Sequence, residues 1–164
     1  MKKVQVWTDG SSDWNTRMGG WAAVLLTEKD NIKIVRIIGQ YMSDTTNNVM
    51  EAYAVLAAIE ALYYPCHVEI ITDSQYVIYG IRRIMTGKKL LETNTWLWEM
   101  LQKEIVAGKH RIDLTKIKGH DGEYMNEIAD QVAVQCRTKM LTIDETIHDF
   151  NQRRLVDFMG RISP

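Results

Sequence analysis

Four carboxylates stand where they could do chemistry. Asp9 and Asp73 each close an apolar, strand-like run, and each sits in a short polar signature, Thr8-Asp9-Gly10-Ser11 and Thr72-Asp73-Ser74-Gln75. Glu51 and Asp130 each lie inside a helical pattern. A carboxylate at a strand's end points into the crevice where open α/β sheets place their sites. If the two helical acids converge on that crevice, four like charges meet, and they stay ionised together only if cations hold them. An all-oxygen site of this kind suits Mg²⁺, with Mn²⁺ as an alternative, and the hydrolysis of phosphate esters.

Each acid also has a plainer reading. Asp before Gly or Ser is a common turn former. Asn48-x-x-Glu51 fits a capping box, with the glutamate reaching back to the cap's amide. Asp130 shares helical spacing with Glu123 and Glu127 and could belong to a solvated acidic face. Asn47 and Asn48 could simply cap a helix. The basic cluster Arg82, Arg83, Lys88 and Lys89 reads as a solvated turn when taken alone. Trp96 and Trp98 cannot both face the core of one helix, so one packs while the other is left exposed.

The elements that must position these groups can be read from periodicity. Residues 3–8 alternate towards Asp9 as a strand, and residues 10–20, rich in Gly, Ser, Asp and Asn, read as a loop. Two strands over 21–27 and 32–41 join through Glu28-Lys29-Asp30-Asn31. A helix over 48–64, rich in Ala, Leu, Met and Glu, ends before Pro65. A short buried strand over 67–72 stops at Asp73, and the strand, helix, strand order favours a right-handed parallel crossover. Ser74 caps a helix over 75–85, and Thr95 starts another that ends near Gly108. A last strand over 111–117 leads through Lys118-Gly119-His120-Asp121-Gly122 into a helix over about 123–139. In the tail, Ile143, Ile147 and Phe150, then Leu155, Phe158, Met159 and Ile162, have helical spacing, which predicts one amphipathic helix or two broken near Asn151.

The resulting fold class is α/β, a mixed five-stranded sheet of three antiparallel strands followed by two parallel ones, with helices on both faces. Residues 1–140 form the domain and 141–164 a helical extension of it. Composition agrees with a soluble globular chain, at 46% hydrophobic and 25% charged residues. No apolar stretch reaches the length needed to span a bilayer. The amino terminus has no signal-peptide pattern, so a cytoplasmic location is the expectation, and a monomer is expected as well. Cys66 and Cys136 lack the paired spacing of a zinc site and read as reduced, buried thiols. Net charge is −1, so only the uneven distribution of charge, above all the acid-free stretch holding Arg82, Arg83, Lys88 and Lys89, could favour a polyanion.

Taken together, the motifs resemble those of type 1 ribonuclease H. The segments Thr8-Asp9-Gly10-Ser11, Thr46-Asn47-Asn48-Val49-Met50-Glu51, Thr72-Asp73-Ser74-Gln75-Tyr76-Val77, Lys118-Gly119-His120, Asn126-Glu127 and Ala129-Asp130 occur in family order over about residues 3–137. The resemblance implies a four-carboxylate site of Asp9, Glu51, Asp73 and Asp130 holding two Mg²⁺ ions, and cleavage of the RNA strand of RNA–DNA hybrids to 5′-phosphate and 3′-hydroxyl ends. It implies that His120, on a glycine-flanked loop, assists proton transfer or product release. It also implies that Gly10, Ser11, Asn47, Asn48 and Gln75 contact the hybrid, the amides reading 2′-hydroxyls and minor-groove edges, and that Arg82, Arg83, Lys88 and Lys89 contact DNA-strand phosphates.

The sequence also departs from the family pattern. Ser12-Asp13-Trp14-Asn15-Thr16-Arg17 replaces the usual Gly-Asn-Pro-Gly run, and the segment between Asp73 and His120 is short, without the tryptophan-rich helix of members bearing a full basic protrusion. Weaker grip and a steeper salt dependence are expected. The tail carries no motif and is a candidate for packing or contact with a protein partner. Two other readings share the fold: a non-catalytic hybrid-binding or interaction module, and a different nuclease such as a Holliday-junction resolvase, integrase or transposase domain. A retired site would lose an acid, and the other nucleases need carry neither Asn47-Asn48 nor the Lys118-Gly119-His120 loop.

Overall fold

A computed structural model describes residues 1–118 and 124–163. In chain order the elements are β1 (Lys2–Ser12), β2 (Gly19–Lys29), β3 (Ile32–Met42), α1 (Asn47–Glu60), β4 (Cys66–Thr72), α2 (Gln75–Met85), α3 (Thr95–Ala107), β5 (Arg111–Lys116), α4 (Tyr124–Lys139), β6 (Thr142–Ile147) and α5 (Gln152–Ile162). They build one sheet ordered β5-β4-β1-β2-β3-β6. The β1–β2–β3–β6 pairings are antiparallel, and β1–β4–β5 are parallel.

Strand alternation divides the core between two faces. Val4 and Val6 of β1 join α1, α2 and α3 in one apolar layer, while Trp7 joins α4 and α5 in the other. The β2–β3 hairpin turns on Asp30 and Asn31 alone, both at positive φ (53° and 64°), with Lys29 paired to Ile32. A two-residue turn of this kind needs left-handed backbone at both central positions, which Asp and Asn tolerate better than most residues. Beyond Asp9, β1 continues to Ser12, which pairs with Gly19, so the predicted loop of residues 10–20 contracts to residues 13–18.

The tail corrects the sequence expectation. Residues 142–147 form a sixth strand rather than a helix, pairing antiparallel with β3 from Val35–Ile147 to Gln40–Thr142. Ile143 and Ile147 are four apart, and that spacing lands on one face in a helix and in a strand alike. The β-branched run Thr142, Ile143, Thr146 and Ile147 and the unpaired edge of β3 decide in favour of the strand. Arg36 locks it from β3, with Nε and Nη2 donating to the two oxygens of Asp144 at 2.9 Å each. After β6, α5 is helical as the spacing predicts and buries Leu155 and Phe158.

The cysteines are both buried and free of a disulfide, and burial pushes both thiols up, Cys136 to about 12. Trp98 is fully buried, whereas Trp96 is half exposed. No helix among the described residues is long and apolar enough to cross a membrane.

Candidate active site

Each of the three closest acids is delivered by a different piece of backbone. Asp9 lies in β1 and is buried, with one carboxylate oxygen accepting from the Gly10 amide at 2.9 Å. Asp73 follows the last residue of the adjacent parallel strand β4, where the Ser74 amide donates to Thr72 Oγ1 at 3.0 Å. Glu51 lies in the second turn of α1 and is also buried. Gly10 allows the approach: a Cβ there would fall 2.5 Å from the Glu51 amide nitrogen and 2.7 Å from the Met50 carbonyl carbon. The bare Cα therefore lets α1 settle onto the end of β1, and Glu51 meets Asp9 across it.

Asp9, Glu51 and Asp73 each offer an oxygen, and the three oxygens lie within 4.8 Å of one another. Asp130, half-buried on α4, approaches from the other layer, close enough for a carboxyl–carboxylate hydrogen bond to Asp9, but it stands outside that tight trio. The electrostatic result is the one expected of crowded acids. Burial raises Asp9 well above the carboxylate range, reinforced by the charge of Glu51, the hydrogen bond with Asp130 and the charge of Asp73. Burial also raises Glu51; hydrogen bonds from Asp9 and the Gly10 amide oppose the shift, and the charges of Asp73 and Asp130 add to it. Glu51 Oε2 is buried and has no hydrogen-bond partner. A buried carboxylate oxygen left unpaired is costly, and a divalent cation bound by oxygen ligands supplies the missing partner. The donor set fits such an ion.

The helix caps remove one plainer reading. Thr46, not Asn48, caps α1, its Oγ1 accepting from the Val49 amide at 3.3 Å. Glu51 is thus five residues past the cap and cannot close a capping box from Asn48. Asn47 and Asn48 occupy the first turn, exposed, with their side chains on a groove shared with Trp14, Arg17, Thr93 and Asn94. Gln75 is exposed at the first position of α2, and its Oε1 accepts from Lys116 Nζ. Ser11 Oγ accepts from Arg137 Nε at 2.9 Å, which ties the end of β1 to α4.

The basic residues are dispersed. Arg82 and Lys88 are exposed beside Tyr79 in a shallow depression. Arg83 instead donates through Nη1 to the Lys89 carbonyl at 2.8 Å, pinning the turn, and Lys89 pairs with Glu92 at 2.9 Å. His120 and its flanking Gly119 and Gly122 lie outside the described residues. The sequence reading did not assign a role to Trp14 or Asn94. Asn94, at φ 55° before α3, donates to the Tyr76 hydroxyl at 3.0 Å, and only an asparagine ahead of a helix signals it in the sequence.

Comparison with known proteins agrees with this geometry. A family model described as RNase H matches residues 1–138. Ribonuclease H of Granulibacter bethesdensis is 40% identical over 146 residues, covering 82% of this chain and 91% of that protein. Ribonuclease H of Hahella chejuensis is 42% identical over 142 residues, covering 81% and 92%. A crystal structure described as a type 1 ribonuclease H with the type 2 active-site motif superposes with a TM-score of 0.78 at 22% identity, covering 99% of this chain and 82% of that one, a likeness of fold. The acids gathered at the ends of β1 and β4 thus lie within the matched segment, and the chain belongs to the ribonuclease H family.

Proposed function

We propose that this ribonuclease H hydrolyses the RNA strand of RNA–DNA hybrids, with two divalent ions, Mg²⁺ by preference, held by Asp9, Glu51, Asp73 and Asp130. The observation that carries the reading is the tight trio of carboxylates, Asp9 and Glu51 buried and Asp73 half-buried, with its unpartnered Glu51 oxygen. Asp9 would sit at the centre, within hydrogen-bond reach of both Glu51 and Asp130 and beside the charge of Asp73. Bound ions of this class supply a water of lowered pKa and charge stabilisation for the departing ribose oxygen, leaving a 5′-phosphate and a 3′-hydroxyl. The protein's part is to hold that geometry rigidly. The β1 ladder fixes Asp9, the end of β4 carries Asp73, and the Gly10 contact fixes Glu51.

The remaining roles follow from chemistry and placement. Asn47 and Asn48 donate and accept at once, which matches 2′-hydroxyls, and they stand one helical turn before Glu51. Gln75 offers a third amide immediately beyond Asp73, oriented by Lys116. Arg82 and Lys88 are exposed for phosphate contacts, which bring affinity without sequence preference. His120 is assigned proton transfer or product release on its place in the sequence motif. The test compares RNA–DNA, RNA–RNA and DNA–DNA duplexes with and without Mg²⁺, for the native chain and Asp73→Asn. Mg²⁺-dependent cleavage of the hybrid alone, lost in Asp73→Asn with the circular dichroism spectrum unchanged, is expected. Retained cleavage by that variant would refute the assignment.

A further inference from the structure

Trp14 is 89% exposed, the most exposed large apolar side chain among the described residues. The backbone around it is firmly built. Asp13 Oδ1 accepts from the Asn15 amide at 2.8 Å and from the Thr16 amide at 3.2 Å. The Asp13 amide donates to the Met18 carbonyl, and the Arg17 amide to the Asp13 carbonyl, at 2.8 Å each. Arg17 then moors the loop to the segment before α1. Its carbonyl accepts from the Thr45 amide at 3.0 Å, and its Nε pairs with Asp44 at 2.8 Å. None of these bonds uses the indole. Trp14 is thus held out to solvent by its neighbours and adds no packing to the core.

Its position gives the exposure a direction. Trp14 and Arg17 form one wall of the groove, of about 540 Å³, whose other lining residues include Asn47, Asn48, Thr93 and Asn94. β1 runs extended from Asp9 to its end at Ser12, about 10 Å at the usual strand rise, and Trp14 stands in the loop two residues beyond. A duplex whose scissile phosphate lies at the carboxylates and whose minor groove faces the two amides would run past the indole.

We propose that Trp14 is a further substrate-contacting residue, its indole lying flat against a deoxyribose of the DNA strand in the groove it shares with Asn47 and Asn48. This rests on the reading of the substrate as a hybrid. The choice of strand follows from desolvation. An indole face pressed on a ribose would strip water from a 2′-hydroxyl and return no hydrogen bond, whereas a deoxyribose has no such group to desolvate. The amides would then select the strand bearing 2′-hydroxyls, while the indole favours the one without them. A rigid aromatic on a fixed loop loses little conformational freedom on binding. Such a contact also suits a chain of net charge −1, in which Arg83 is tied to the Lys89 carbonyl.

The test uses the full chain carrying Asp73→Asn, so that binding is read without turnover, and labelled 18-base-pair duplexes followed by fluorescence anisotropy in Mg²⁺. Trp14→Ala should weaken binding of the RNA–DNA hybrid about five-fold or more. Binding of duplex RNA should be unchanged, as should the slope of log affinity against log salt, because no ion pair is lost. Trp14→Phe should recover most of the affinity, and thermal midpoints should match because the side chain packs on nothing. An unchanged hybrid affinity in Trp14→Ala overturns the proposal, as does an equal loss on duplex RNA. If hybrid cleavage by the native chain is intact in either case, the proposed function survives without it. A native chain that neither binds nor cuts the hybrid removes both.

Discussion

Asp9 concentrates the electrostatic tension of the molecule. It is buried among three other acids, and its upward shift has a consequence for folding. A carboxyl whose folded pKa exceeds its unfolded one stabilises the fold fully below the unfolded value, near 4, and that stability is lost as pH rises through the folded value. The metal-free protein should therefore lose stability relative to Asp9→Asn as pH rises from about 4 past neutrality. Millimolar Mg²⁺ should close the gap for the native chain alone. Urea unfolding of both proteins across that range reads it directly, and parallel curves without metal would remove the tension from the account. Gly10 allows a second test at this scale. Gly10→Ala forces a Cβ to within 2.5 Å of the Glu51 amide, so backbone must move. A loss of about 1–3 kcal/mol in urea unfolding is expected, with cleavage reduced more than ten-fold as Glu51 is displaced. Cleavage at the native rate would mean that this contact does not set the site.

At the scale of elements, α1 carries both the amides and Glu51, so its amino-terminal cap couples stability to substrate contact. Thr46→Ala removes the bond to the Val49 amide and should cost about 1 kcal/mol. It should also raise KM for the hybrid more than it lowers kcat, because Asn47 and Asn48 fray before Glu51 does. The opposite split would place the cap's effect on the carboxylates. The unit formed by β6 and α5 has a different task. It pairs the outer edge of β3 and buries Leu155 and Phe158 in the apolar cluster that also holds Trp7 and Ile37. Phe158→Ala should lower stability by about 3–5 kcal/mol while leaving kcat on the folded fraction close to native. A matching fall in kcat would show that the added strand reaches the site.

The whole molecule explains why so few charges suffice. Helices cover both faces of the sheet, and the acids gather where α1 and α4 approach β1 and β4 from opposite layers. Of the clustered basic residues, Arg82, Lys88 and Lys89 are exposed, Lys89 in a solvent-facing pair with Glu92, while Arg83 pins the turn, so the cluster offers phosphate few ionic contacts. The slope of log affinity against log salt should correspond to a small number of neutralised phosphates, and Arg82→Ala should reduce that slope by about 1. An unaltered slope would take Arg82 out of the contact surface.

The sequence by itself determined the family motifs and the order of the candidate reactive groups. Thr8-Asp9-Gly10-Ser11 and Thr72-Asp73-Ser74-Gln75 were legible because strand periodicity and turn chemistry are local, and both leave their mark within a few residues. The first five strands and the helix holding Glu51 were legible for the same reason. Only the tertiary structure decided the rest. The choice between capping box and active site for Glu51 turned on Thr46 and on the contact with Gly10, 41 positions away in the chain. The fate of residues 142–147 turned on the free edge of β3, because a four-residue spacing satisfies helix and strand equally. Which basic side chains stay exposed, and which wall Trp14 occupies, depended on partners distant along the chain. Local pattern fixes what a segment can become, but competition among long-range partners for edges, caps and counter-charges selects among those outcomes.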